Sequence, residues 1–452
     1  MTDARTADSE ESALERFRTL LRIPTMSRNA VEETDWAAFD AFVAALPELY
    51  PRVHAALDLE RHGDHGHAFL YRWRGRADDA PIVLLAHYDV VPATSDGWEH
   101  PPFAAELTGH GADRVLWSRG TLDDKGAVVA ILEAVEGLLA EGFTPGQDVY
   151  LSFGNDEETV GSGARAIVES LRERGVRPAL VIDEGGAVVQ GLFPGVRRPV
   201  AVVGVAEKGT TTVTMTVDQP GGHASTPPRM TATVRLARAI TRLNARPFPS
   251  RLSETNLQMV ETLGAHATGL YRAAFTRARR LQPLLRAAFV RIGDETRAVV
   301  RTTTAVTQLR GSLAANALPE TAEAVVNVRI AVGSSVDETL AHLRKAVHDP
   351  RVRIEATDAN EPSPVSPTSG PYWERIARTV ASVHPEAVLT PYIMLGASDS
   401  RHFTAICDAV YRFTPFDISV DEYHTLHARN ERIRVATWLR GIRFYDELIR
   451  AV

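Results

Sequence analysis

Val149-Tyr150-Leu151-Ser152-Phe153-Gly154, followed after Asn155 by Asp156-Glu157-Glu158, carries an apolar run directly into three adjacent carboxylates. Such a run, bounded by a polar turn, reads as a buried strand whose end presents acids at the edge of a sheet. Strand side chains alternate in direction, so Glu157 and Glu158 cannot both reach one centre unless the chain turns between them. One natural division makes one carboxylate a metal ligand and its neighbour a proton-transfer group aimed at water. Taken alone, the triplet is more simply a charged turn in solvent, where Asp and Glu are common. The sequence around it decides between the two.

Working outward, residues 81–86 and 179–182 are further short apolar runs. Between the first of these and 149–154, the segment 126–139 places Val128, Ile131, Leu132, Val135, Leu138 and Leu139 on one helical face, with Gly142 marking its end. Short buried strands alternating with longer helices predict an α/β layered domain over residues 1–206. From Glu207 the character changes. Thr210-Thr211-Thr212-Val213-Thr214-Met215-Thr216-Val217 is β-branched and alternating, and the pattern returns at 302–311 and 322–330. This predicts a sheet with one exposed face, in a smaller α+β domain over 207–332 that interrupts the first. Helix-like 336–347, strand-like 352–356 and an amphipathic helix over 431–449 are read as the chain's return to the first domain over 333–452. The Pro- and Ser-rich stretch 360–370 reads as a surface loop.

A chain of 452 residues, 44% hydrophobic and 24% charged, is long enough for two cores. Its formal charge of -7 argues against a nucleic-acid partner held by phosphate neutralisation. Cys407 is the only cysteine, which rules out an internal disulfide and a Cys-based zinc site and reads as a small core residue. The N-terminal stretch lacks the basic start and apolar core of a secretory signal, and no window approaches the roughly 18 apolar residues of a membrane span. A cytoplasmic protein without a membrane partner is the expectation.

Other strand ends also carry acids. His87 and Asp89 follow the apolar run Ile82-Val83-Leu84-Leu85-Ala86 in a spacing that puts both side chains on one side. A ligating histidine needs a partner for its second ring nitrogen, and a carboxylate two residues on can supply it; a hydrogen-bonded core histidine is the competing reading. Asp123-Asp124 precedes a helix start and could equally cap it. Asp183-Glu184-Gly185-Gly186 repeats the theme after another strand. Sites in open α/β sheets form at the carboxyl ends of strands, which is where all these acids fall. The histidine-rich His62-Gly63-Asp64-His65-Gly66-His67 lacks such a carboxylate and reads as a turn. Ser162 between Gly161 and Gly163 does not make the Gly-x-Ser-x-Gly nucleophile pattern, which disfavours a serine hydrolase.

These residues together resemble the M20 metallopeptidases. The likeness runs through Leu85-Ala86-His87-Tyr88-Asp89, Arg119-Gly120-Thr121-Leu122-Asp123-Asp124-Lys125-Gly126 and Asp156-Glu157-Glu158. It continues through Gly221-Gly222-His223-Ala224-Ser225, Asn316-Ala317-Leu318-Pro319, Ser398-Asp399-Ser400-Arg401-His402-Phe403 and His427-Ala428-Arg429-Asn430-Glu431. Asp183-Glu184-Gly185-Gly186 and Glu207-Lys208-Gly209 resemble the carboxypeptidase S and N-acyl-amino-acid hydrolase branch. The resemblance implies a zinc-peptidase catalytic domain, a mixed sheet flanked by helices, interrupted by a lid or dimerisation domain. It also implies two divalent ions, zinc first, with cobalt or manganese as alternatives, because His and carboxylate ligands alone do not fix the metal.

In that scheme Asp123 bridges the ions, His87 and Asp183 complete one, and Glu158 and His427 the other. Glu184 stands beside Asp183 as the alternative ligand, and His424 beside His427. Asp89 orients His87. Glu157 is the general base that activates a water between the ions, and the Asp123-Asp124 peptide is cis. His223, Asn316 and Arg401 bind substrate, His223 either within one chain or across a homodimer, and Arg401 by gripping a carboxylate. The substrate implied is a peptide or N-acyl amino acid with a free carboxylate. Alternatives are a non-catalytic relative that binds such ligands, or a narrow dipeptidase or biosynthetic deacylase. The segment 270–291 interleaves Leu270, Phe275, Leu284 and Phe289 with six arginines. It reads as amphipathic basic helices whose apolar stripe enters a core or, alternatively, meets an acyl chain or lipid.

Overall fold

The strand Ala77–His87 lies between Gln147–Gly154 and Leu180–Asp183, parallel to both, with His87 opposite Gly154 and Leu84 opposite Ile182. In this computed structural model, which describes residues 2–452 with side chains from Ser9 onward, these strands form the middle of a ten-stranded mixed sheet. Asp58–His62 and Ala68–Trp73 extend it antiparallel on one side, and Val410–Arg412, Val200–Glu207 and Val388–Met394 lie on the other. Parallel neighbours end together, so their carboxyl ends deliver His87, the acidic triplet and Asp183-Glu184 to one edge.

Helices cover the sheet. Lys125–Ala140 is buried along almost its whole length because it lies between the sheet and Val435–Arg450. Phe17 from the N-terminal helix stacks on Trp438 at 4.7 Å, and the Trp438 indole donates to Gly126 O at 3.1 Å. The strands expected at 81–86, 149–154 and 179–182 and the helix expected at 126–139 are all present. The helix expected over 431–449 instead starts at Val435, because Arg432–Arg434 pairs as a strand with Val115–Trp117. Among the described residues, no helix is long and apolar enough to cross a membrane.

The second sheet has four antiparallel strands in the order Thr303–Arg310, Thr321–Ile330, Gly209–Asp218 and Arg353–Asn360. Val213, Met215, Val217, Val326 and Val328 face a separate core closed by Ala232–Ala245 and Val336–Val347. The expected boundaries at 207–332 require two corrections. The helix Val336–Val347 and the strand Arg353–Asn360 belong to this unit, since that strand pairs with Gly209–Asp218 and Leu343, Val347 and Ile354 enter its core. The helix Glu254–His266, conversely, packs on Val388–Met394, with Leu257, Val260 and Leu263 in the core of the large sheet. Sequence alternation identifies strands but does not say which sheet a flanking helix joins.

Candidate metal centre

Each acidic segment leaves the large sheet with a different constraint. His87 is 1% exposed, and its Nδ1 lies 3.2 Å from Asp89 Oδ1 and 3.0 Å from Asp89 O. Nε2 is thereby turned toward Asp123 Oδ1, 3.0 Å away. Asp89, fully buried, also accepts Ser27 Oγ at 2.7 Å and the amides of Glu157 and Glu158, each at 3.2 Å. One carboxylate therefore orients the histidine and holds the turn that separates the two glutamates. Asp156 accepts the amides of Ser162 and Gly163 and the Ser162 hydroxyl, so it supports the start of the helix Ser162–Glu173.

Asp123 stands at the centre. Its Oδ1 faces His87, and its Oδ2 lies 2.8 Å from His427 Nε2, which is 3.1 Å from Glu158 Oε1. Two groups result, each with ligand atoms within 4.8 Å of one another: His87, Asp123 and Glu184, and Asp123, Glu158 and His427. The Asp123-Asp124 peptide is cis. His427, and not His424, enters the cluster. His427 itself takes the left-handed conformation with φ 55°, and Ala428 O accepts from Arg119 Nη2 at 3.0 Å.

Asp183, expected as a ligand, belongs to neither group, and Glu184 takes the position. Asp183 is occupied by backbone: its Oδ1 accepts the Glu184 amide at 2.9 Å and its Oδ2 the Ser400 amide at 2.7 Å. The chain then swings Glu184 Oε1 to 3.6 Å from His87 Nε2. Gly185 permits that swing with φ 131°, where a Cβ would also lie 2.6 Å from Met394 Sδ.

The electrostatics fit a cation-binding centre. Burial, then the neighbouring Glu184 and other acids, pushes the Glu157 carboxyl well above the usual carboxylate range. Burial and Asp123 raise Glu184 to about 8, while hydrogen bonds to Asp123 and Glu158 raise His427 to about 10. Glu158 Oε1 is buried without an aligned hydrogen bond. Crowded carboxylates, with Asp123 turning one oxygen toward each histidine, make a donor set suited to two hard or borderline dications.

The other expected residues lie outside the two metal groups. Arg401 stands in the short helix Ser400–Phe403, and a Cβ on Gly161 would lie 2.9 Å from its Nη2. His223 and Asn316 are brought together on an exposed two-stranded ribbon, where His223 pairs with Ala317 and the Ala224 amide donates to Asn316 O at 3.0 Å. Neither joins the metal groups.

Three site-related residues carried no expectation of their own. Glu431 accepts the amides of Leu122 (2.8 Å) and Asp123 (3.3 Å) and pairs with Arg119 at 2.5 Å; both lie within motifs that point to the family, but nothing local reveals their pairing. Burial, then the charge of Arg401, lowers the pKa of Arg329 on the second sheet, with Glu157 and Glu207 opposing, and no described carboxylate lies within ion-pair distance of it. Its alternating strand pattern gives no sign of this.

Fold and site together define a hydrolase of the metallopeptidase type, and residues 83–451 match the peptidase family M20/M25/M40. The chain is 33% identical over 441 residues, 96% of this chain and 87% of the relative, to the human N-fatty-acyl-amino acid synthase/hydrolase PM20D1. It is 30% identical to carboxypeptidase S of Saccharomyces cerevisiae, with 97% of this chain and 84% of that one covered. The M20 family metallo-carboxypeptidase Sso-CP2 from Sulfolobus solfataricus has the same fold, with a TM-score of 0.71 at 17% identity over 97% of this chain and 98% of that one. The chain belongs to peptidase family M20 and is an M20 hydrolase.

Proposed function

We propose that the protein hydrolyses the amide bond of N-acyl amino acids or peptides whose amine side bears a free carboxylate, using two divalent ions, zinc first and cobalt or manganese as alternatives. The observation that carries this reading is Asp123, with one carboxylate oxygen beside His87 and the other beside His427. His87, Asp123 and Glu184 would hold one ion and Asp123, Glu158 and His427 the other. When bound, such ions polarise a carbonyl and acidify water.

Glu157 takes the proton from the attacking water and returns it to the leaving amine, a task favoured by its raised proton affinity. Asp89 keeps the His87 Nδ1 side engaged and fixes the turn that aims Glu157. Arg401 grips the substrate carboxylate, and Arg329 reinforces it from the second sheet. His223 and Asn316 approach the substrate from their ribbon, His223 from a partner subunit if two copies join through the exposed edge strand Thr303–Arg310.

A long acyl chain is favoured over a short dipeptide. The similarity to the N-fatty-acyl-amino acid hydrolase supports this, as does the exposure of Leu270, Leu284 and Ile292 beside arginines on the helices over 269–292. The test is a hydrolysis panel of long-chain N-acyl amino acids and dipeptides with zinc, cobalt and manganese supplied in turn, together with Glu157→Gln. Turnover of the variant should fall by at least about 10²-fold with metal content unchanged. Undiminished turnover would remove the mechanism, a strong dipeptide preference would remove the acyl assignment, and metal binding without hydrolysis of any substrate would favour a binding protein.

A further inference from the structure

The chain passes from the large sheet into the small one at Lys208, between Val200–Glu207 and Gly209–Asp218. Glu207, the last residue before the passage, is 2% exposed. Its backbone is tied to the segment by which the chain returns: its amide donates to Ser363 Oγ at 2.9 Å, and its carbonyl accepts the Ser363 amide at 3.1 Å. Its side chain is tied to the turn before Arg401. Oε2 accepts the Ser398 amide at 3.2 Å and Arg412 Nε at 3.3 Å. Asp183 accepts the Ser400 amide two residues on, so carboxylates from two strand ends hold this turn from either side of Asp399.

Arg412 is completely buried and hemmed in by backbone, since a Cβ on Gly204 would lie 2.9 Å and one on Gly185 3.0 Å from its own Cβ. A buried ion pair of this kind is a weak source of stability compared with an apolar replacement. What the Glu207 pair does provide is a fixed connection between the inter-sheet crossing and the Arg401 turn.

We propose that Glu207, held by Arg412, is a positioning residue for carboxylate recognition: it sets the Arg401 turn relative to the strand that leads to the second sheet, where Arg329 stands. The proposal rests on the reading of Arg401 as the carboxylate grip. A merely structural residue would weaken hydrolysis of all substrates alike. A positioning residue for the grip discriminates among them.

The test compares kcat and KM for an N-acyl amino acid and its carboxamide analogue in the metal-loaded enzyme, for the wild type, Glu207→Gln and Arg401→Met. Glu207→Gln should reduce the preference for the free carboxylate by about 10-fold through KM, with kcat within about threefold and metal content unchanged. Glu207→Asp should recover part of the preference. The double variant Glu207→Gln/Arg412→Gln, which leaves no buried charge unpaired, should show the same loss if the single variant does not fold. Retained preference in a folded Glu207 variant, or an equal loss on both substrates through kcat, overturns the proposal. Failure of both Glu207→Gln variants to fold assigns Glu207 to the framework and overturns it too. If Arg401→Met itself keeps the preference, the underlying reading of Arg401 fails instead.

Discussion

Glu431 is completely buried, and each of its carboxylate oxygens holds a different part of the centre. One accepts the amides of Leu122 and Asp123; the other pairs with Arg119, whose second nitrogen reaches Ala428 O beside His427. Two ligand-bearing loops distant in sequence are thus fixed by one ion pair. Glu431→Gln should destabilise the fold by about 3–5 kcal/mol, because Arg119 is left buried and uncompensated. It should also lower metal retention. Denaturant unfolding and metal analysis of the purified variant measure both, and an unchanged midpoint with full metal would refute this role. The same kind of distant contact explains what the residues alone left open at Asp183-Glu184. Either acid could ligate when only their neighbours are considered. The deciding hydrogen bond comes from Ser400.

At the scale of elements, the parallel strands are legible because each is a short apolar run ending in acids, and burial on both faces leaves no alternation to confuse them. The helices after residue 250 are less so. Their stripes indicate an apolar face but not its destination, and Glu254–His266 lies on the large sheet while Val336–Val347 lies on the small one. Both stripes reach a core, and in the segment 269–292 Phe275, Leu281, Leu285 and Phe289 pack in or against the core of the large sheet while Leu270, Leu284 and Ile292 remain exposed beside the arginines.

A further element-scale expectation concerns His384, which ends the helix Pro371–Val383 and is 0% exposed. Burial is the main cause that depresses its pKa, with Asp417 and Glu386 opposing and Arg440 assisting. A folded pKa below the ordinary value near 6.5 means that the unfolded chain takes up the proton more readily. The stability from neutral His384 is therefore full above about pH 6.5 and is lost as pH falls through the folded pKa. Urea midpoints at pH 7.5 and about 5 should differ more in the wild type than in His384→Leu. Equal differences would show that another group carries the acid sensitivity.

Across the whole molecule, the metal groups lie on the large sheet while His223, Asn316 and Arg329 stand on the smaller unit. If these three residues meet the substrate as proposed, its recognition depends on how the two parts are held. If His223 serves a neighbouring chain, mixing inactive His223→Ala and Glu157→Ala proteins should restore about one quarter of wild-type activity, as random pairing leaves one intact centre in half of the dimers. Sedimentation of the mixture reports whether two chains associate. No recovery in a mixture that does associate would assign His223 to its own chain.

The order of these residues along the chain sets when the centre can exist. His87, Asp123, Glu158 and Glu184, four of the five clustered side chains, are synthesised well before His427. The contacts that fix them arrive late as well: Ser400 anchors the Asp183 turn, Glu431 anchors the Asp123 loop, and Arg432–Arg434 completes a sheet with Val115–Trp117. A nascent chain on the ribosome can fold its first strands, but it cannot close the cluster until residues 427–434 emerge. A chain arrested short of His427 would carry four of the five clustered side chains with none of them locked.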